Sequence, residues 1–310
     1  MSLSLPTPRP GPMGAALLAV CLCAACGGPN KAPSAPEIDI EPAMPHTLDD
    51  LQLIITQAAV DPDGDKLLYH TRWFQDGEIR DQVRGDTVPA NRTQAGEYWI
   101  AELWATDGQL DSSVAEATVF VFNTAPEAMV RIQPDQPDTR DDLEARARAS
   151  DLDGHAVEFE FIWSVDGADT EHVSASVPAA STAKHELWTV VALPYDGDSW
   201  GAGVNAEISI ANTTPGAPVV EISPDRPRAG RDDLLCVVDQ PGDDPDDDEQ
   251  SYRVAWQVDG ADSEDAIDGE IPGDTIPTEA TGRGQNWECR VWAADGEAEG
   301  PPGQGSVRVQ

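Results

Sequence analysis

The chain has 310 residues, 40% of them hydrophobic, and its 57 acidic against 19 basic side chains leave a net charge of -38. At about 100–200 residues per domain, that is room for two or three domains with ordinary cores. So acidic a surface excludes nucleic acid and anionic headgroups as direct partners, and it favours solubility and cation uptake.

Residues 1–25 read as an export signal. One base, Arg9, precedes an apolar run from Gly14 to Ala25. The run falls short of the roughly 20 residues that span a bilayer. It ends in "LCAAC", which resembles a bacterial lipobox. The resemblance makes Cys26 a lipidated mature N-terminus behind Ala24 and Ala25, although Cys23 stands where Leu is usual. The other reading is a plain secretory signal cut near Ala25. Residues 26–35 then form a lipid anchor and a Pro-rich tether. Gly27, rather than Asp, after the anchor implies outer-membrane localisation, on either the periplasmic or the outer face. Three of the five cysteines lie in this signal region, and Cys236 and Cys289 remain. A lone pair in an exported chain reads as one disulfide.

Laid over itself, the rest of the chain is one unit written three times. "WFQDG" starts at Trp73, "WSVDG" at Trp163 and "WQVDG" at Trp256, spacings of 90 and 93. "DDL" (Asp49, Asp141, Asp232) and an acidic turn precede each Trp, the turn beginning twelve residues earlier: "DPDGD" at Asp61, "DLDGH" at Asp151, "DPDDD" at Asp244. A second Trp follows (Trp99, Trp188, Trp287), eight residues before another "DG" (Asp107, Asp196, Asp295). Copies one and two close on "NTAP" and "NTTP". Segments such as "LQLIITQ" and "YWIAELWAT" are β-branched and aromatic, with Gly, Pro, Asp and Asn every 8–12 residues. Short, evenly punctuated strands of this kind predict a β-sandwich. Asp-Gly after each first Trp predicts a tight hairpin.

In the third copy Cys236, Trp256 and Cys289 resemble the Cys…Trp…Cys order of immunoglobulin-type sandwiches, with a core Trp against a disulfide. By phase, the cysteine places in the other copies are held by Leu53 and Ala101, and by Ala145 and Val190. Trp73, Trp163 and Trp256 are the expected core. The unit resembles the bacterial Ig-like and PKD-like repeats of surface proteins, through "DPDGDKLLYHTRWFQDG" and "GEYWIAELWATDG". It lacks the full "WDFGDG" of PKD domains. The expected architecture is therefore all-β: three tandem Ig-like sandwiches at residues 36–125, 126–216 and 217–310, after a lipoprotein signal peptide.

Two readings of the acidic turns stand side by side. Calcium takes six to eight oxygen ligands, often carboxylates two apart on a turning loop. Asp61, Asp63 and Asp65 supply three, Asp151 and Asp153 two (His155 replaces the third), and Asp244, Asp246 and Asp248 three. An EF-hand is excluded, because Lys66 and Arg72 fall where it needs Gly and Glu. The other reading is a solvated turn, for which Asp, Pro and Gly are well suited. Residues 239–249, with seven acids in eleven, exceed what a turn needs. In an Ig-like sandwich these B–C loops and the F–G loops that begin at Asp107, Asp196 and Asp295 share the end at which the chain enters. Calcium there would stiffen joints, as in cadherin-like arrays.

The five histidines share no catalytic spacing with Ser, Cys or Asp, and repeats that copy the same core residues are structural. The expectation is a non-catalytic, lipid-anchored envelope protein for binding, adhesion or spacing, with a protein or polysaccharide ligand. The alternatives are a structural subunit of an envelope or secretion assembly, or a carbohydrate-binding accessory protein using Trp200 of "GDSWGAG".

Overall fold

A computed structural model describes residues 29–310. The signal peptide and the Cys26 lipidation expected from the sequence lie outside the described residues. No helix among the described residues is long and apolar enough to cross a membrane. The chain is nearly all β and divides into two compact units; the second begins at Phe122 and takes in residues 46–48 and 94–96.

The first unit holds seven strands: β1 (Glu37–Glu41), β2 (Leu51–Gln57), β3 (Leu68–Gln75), β4 (Glu78–Ile79), β5 (Thr87–Val88), β6 (Tyr98–Thr106) and β7 (Ala115–Phe120). They form a three-stranded sheet, β1-β2-β5, and a four-stranded sheet, β4-β3-β6-β7, all antiparallel. The second unit repeats this pattern twice. Its first set is β8 (Glu127–Gln133), β9 (Leu143–Ser150), β10 (Glu158–Val165), β11 (Ala168–Asp169), β12 (Ser176–Val177), β13 (Leu187–Tyr195) and β14 (Val204–Ser209). The next is β15 (Val219–Ser223), β16 (Leu234–Gln240), β17 (Ser251–Val258), β18 (Ala261–Ser263), β19 (Thr275–Ile276), β20 (Asn286–Ala294) and β21 (Gly303–Arg308). Every set has the same strand order, that of an Ig-like sandwich whose short fourth strand stays beside the third.

Alternation along the sixth strand of each set shows why the sheets face one another. In β6, Trp99, Ala101, Leu103 and Ala105 are buried while their neighbours are not. β13 and β20 repeat the pattern. A period of two puts those side chains on one face. At the centre lies a T-shaped pair of indoles: Trp73–Trp99 at 6.4 Å, Trp163–Trp188 at 6.2 Å and Trp256–Trp287 at 6.1 Å between ring centroids. Edge-to-face is a favoured aromatic geometry. Buried indole N–H groups need acceptors. Trp73, Trp163 and Trp256 donate to the carbonyls of Gly85, Ser174 and Gly273. Trp99 and Trp188 donate to Glu97 and Glu186, and Trp287 to Gln285. Beside each pair lies the cysteine place. Cys236 and Cys289 are disulfide-bonded, and Leu53, Ala101, Ala145 and Val190 are buried.

Two turns fix the loops. Asp76-Gly77, Asp166-Gly167 and Asp259-Gly260 each join the third and fourth strands with both residues at positive φ. That is the requirement of a type I′ hairpin, which Asp-Gly meets. The Asp side chains also accept from the backbone N–H of Tyr98, Leu187 and Asn286, pinning the hairpin to the sixth strand. The second acid of each "DDL" caps a 3-10 turn: Asp50, Asp142 and Asp233 accept from the N–H of Ala90, Ala179 and Thr278.

Candidate functional site: the acidic loops that hold the entering chain

The second-to-third and sixth-to-seventh strand loops of each sandwich meet the segment by which the chain enters it. That segment is Asn-x-x-Pro in all three places: residues 30–33, 123–126 and 212–215. The asparagine amide donates to the first acid of the sixth-to-seventh loop. Asn30 Nδ2 reaches Asp107 Oδ2, Asn123 Nδ2 reaches Asp196 Oδ2 and Asn212 Nδ2 reaches Asp295 Oδ2, each at 2.8 Å. The next backbone N–H donates to the middle acid of the acidic turn. Lys31 N lies 2.7 Å from Asp63 Oδ2, Thr124 N 2.6 Å from Asp153 Oδ2 and Thr213 N 2.7 Å from Asp246 Oδ2.

The other oxygens shape the loops themselves. Oδ1 of Asp107, Asp196 and Asp295 accepts the N–H groups two and three residues on. The first acid of each acidic turn folds it: Asp61 Oδ1 takes Asp63 N and Asp65 N, Asp151 Oδ1 takes His155 N, and Asp244 Oδ1 takes Asp246 N. The fourth turn position is left-handed throughout, at Gly64 (φ 82°), Gly154 (φ 80°) and Asp247 (φ 58°). Glycine suits that conformation, and Asp tolerates it.

Donors set the electrostatics. Burial alone would raise the Asp196 carboxyl, but Asn123 and the amides of Ser199 and Asp198 outweigh it and bring it down to about 2. Asp295 is lowered in the same way: burial opposes, while Asn212, Ala298 and Glu297 prevail. Asp107 is lowered by the amide of Leu110, then by Asn30 and Gln109. Asp244 moves upward, because burial penalises its charge and the neighbouring carboxylates add repulsion.

Within the second unit, the third sandwich's loops are also met from the second. Thr139 Oγ1 donates to Asp246 Oδ1 at 2.7 Å. Lys184 Nζ donates to Asn212 Oδ1 at 3.1 Å, Asp248 Oδ2 at 2.5 Å and Glu297 Oε1 at 2.8 Å. The carboxylates, Asp248 first, hold that ammonium well above its usual range. The seven-acid stretch is thus partly neutralised by protein donors.

Of the residues that the sequence offered to calcium, the structure gathers the first and fifth of a turn with the acid of the sixth-to-seventh loop. Asp244, Asp248 and Asp295 each bring a ligand atom within 4.8 Å of the others, as do Asp151, His155 and Asp196. The middle acids, Asp63, Asp153 and Asp246, face the entering chain instead. Trp200 is 48% exposed and stacks on Tyr195 at 4.6 Å. Trp104 and Trp292 lie on the outer sheet faces under Arg72 and Arg253.

No protein family matches the chain, and no curated protein matches it. Solved structures similar to it include three N-terminal domains of the highly immunogenic outer capsid protein of bacteriophage RB49. That likeness has 17% identity over 90% of this chain and 100% of the other, with a TM-score of 0.29. The eight N-terminal Ig domains of Down Syndrome Cell Adhesion Molecule align at 12% identity over 91% of this chain and 37% of the other, TM-score 0.38. A two-domain fibronectin type III segment of chicken tenascin aligns at 12% over 60% of this chain and 100% of that one, TM-score 0.33.

Proposed function

We propose that this chain is a non-catalytic, lipid-anchored protein of the cell envelope whose Ig-like sandwiches serve as a spacer or as a binding and adhesion module. The observation that supports it is the triple Asn–Asp lock at 2.8 Å. The polar side chains that recur in every copy are committed to seating the entering chain, folding turns and capping. A repeat that spends its recurring carboxylates on seating its own entering chain suits a structural module better than a reaction. In this reading Cys26 carries the lipid, the outer membrane is the location, and an unidentified protein or polysaccharide is the ligand. Fractionation tests the anchor: Cys26→Ala should move the chain from membrane to soluble fraction, and retention in the membrane would refute lipid tethering. Pull-down with the exported chain tests the module and yields its partner.

Calcium at the acidic turns is a second reading. It is favoured by Asp244, whose Oδ2 is buried with no hydrogen-bond partner among the described residues. Thermal melts with calcium, with magnesium and with chelator test it. A calcium-specific rise that disappears when Asp244, Asp246 and Asp248 become Asn would support stiffened joints; superimposable melts would remove calcium. The pair Trp200–Tyr195 is what favours a carbohydrate-binding accessory, and binding of soluble glucans or chitin oligomers that fails in Trp200→Ala is its test.

A further inference from the structure

The copies neutralise the same polar place by different means. In the third sandwich a positive group fills it: Lys184 Nζ bonds the linker oxygen Asn212 Oδ1, the fifth turn residue Asp248 and Glu297. In the second sandwich the residues in register are Asn123, His155 and Asp198, and the place of Lys184, four residues before its Trp, is taken one copy earlier by Ala95. Ala95 brings no charge. The linker oxygen that answers to this place is left over: Asn123 Oδ1 is buried with no hydrogen-bond partner among the described residues, whereas Asn212 Oδ1 accepts from Lys184. Beside it Asp151 Oδ2 is buried and unpartnered too, as are its counterparts Asp61 Oδ2 and Asp244 Oδ2 in the other copies. The Asp151 side chain is only 2% exposed. A buried carboxylate oxygen without a donor costs free energy unless a cation answers it.

The surroundings specify the cation. Asp151, His155 and Asp196 each bring one ligand atom within 4.8 Å of the others, and His155 Nδ1 lies 3.9 Å from Asp151 Oδ1. Asn123 adjoins them through its bond to Asp196. Calcium is served by oxygen alone, whereas an imidazole nitrogen with carboxylates suits zinc and its first-row neighbours. His155 is 46% exposed at the side chain, so the site opens to solvent on the imidazole side.

We propose that Asp151, His155 and Asp196 hold a divalent transition ion of the zinc class. The ion does in the second sandwich what the Lys184 ammonium does in the third: it neutralises the two loops where the linker asparagine meets them. The inference rests on the site alone and not on the envelope reading.

Calorimetric titration of the chelator-treated full chain with zinc chloride, and in parallel with calcium chloride, tests it. One zinc equivalent should bind, with calcium weaker by about tenfold or more. His155→Ala and Asp151→Asn should each abolish that equivalent, while Asp248→Asn in the third sandwich leaves it intact. His155→Asp, which restores the acid of the other copies, should shift the preference from zinc towards calcium. Circular dichroism confirms that each variant is folded. Absence of zinc binding, or a zinc equivalent unchanged in folded His155→Ala, would overturn the assignment.

Discussion

Asn212 Nδ2 and Asp295 Oδ2 stand 2.8 Å apart, and the same bond at the same length joins Asn123 to Asp196 and Asn30 to Asp107. One amide thus ties the entering chain to the far loop of the sandwich it enters. The following N–H ties it to the acidic turn. The acidic character of these loops has a local cause: backbone and amide N–H groups converge there and need acceptors.

The lowered carboxyls predict acid sensitivity with a defined sign. Asp196 is lowered from 3.8 to about 2, and Asp107 and Asp295 shift the same way. A carboxyl more acidic in the folded state adds stability that is complete above its unfolded pKa and disappears as pH falls through the folded one. Stability should therefore hold above about pH 4 and decline towards pH 2. Urea midpoints across this window should fall less steeply in Asp196→Asn than in the parent chain. Parallel slopes would contradict the assignment. Asp244, raised by burial, contributes with the opposite sign, so Asp244→Asn should stabilise at neutral pH.

Close approach of the linker gives a steric prediction. A Cβ on Gly300 would lie 2.0 Å from the carbonyl oxygen of Pro215, and one on Gly201 equally close to that of Pro126. Neither oxygen can yield without moving the docked backbone. Gly300→Ala and Gly201→Ala should each cost roughly 1–3 kcal/mol, measured by chemical denaturation. A neutral effect would mean that the linker does not lie against these loops.

The repeats were legible because their physics is local. Two-residue alternation exposed the strands, Asp-Gly the hairpins, and the Trp spacing the phase. Burial at Leu53, Ala101, Ala145 and Val190 follows from the cysteine places they occupy. The job of the acids was harder to read, since "DPDGD" alone is equally a turn, a metal loop or an acceptor. Its partners lie far along the chain: Asp153 meets Thr124, and Asp246 meets Thr213 and Thr139, 107 residues away. "NKAP" matches "NTAP" and "NTTP" in its Asn and Pro but reads as tether when taken alone. Lys184 carried no such mark, because its role depends on the next sandwich.

The disulfide separates the third copy from the others. Cys236 and Cys289 are bridged across a separation of 53 residues, while the corresponding pairs are apolar. Reduction should lower the stability of the third sandwich by about 2–4 kcal/mol. The transition of the first sandwich, which belongs to the other compact unit, should not move. Calorimetry with and without reductant resolves this, and a uniform shift of every transition would contradict it.

A double-mutant cycle on Asn212 and Asp295 tests the central claim most directly. The variants are Asn212→Ala, Asp295→Ala and the pair, compared by urea denaturation. The account predicts that each single change costs about 1–2 kcal/mol and that the double costs little more than either, a coupling of about 1 kcal/mol. Costs that simply add would mean that the linker asparagine and the loop aspartate act independently, and that the acidic loops do not hold the entering chain.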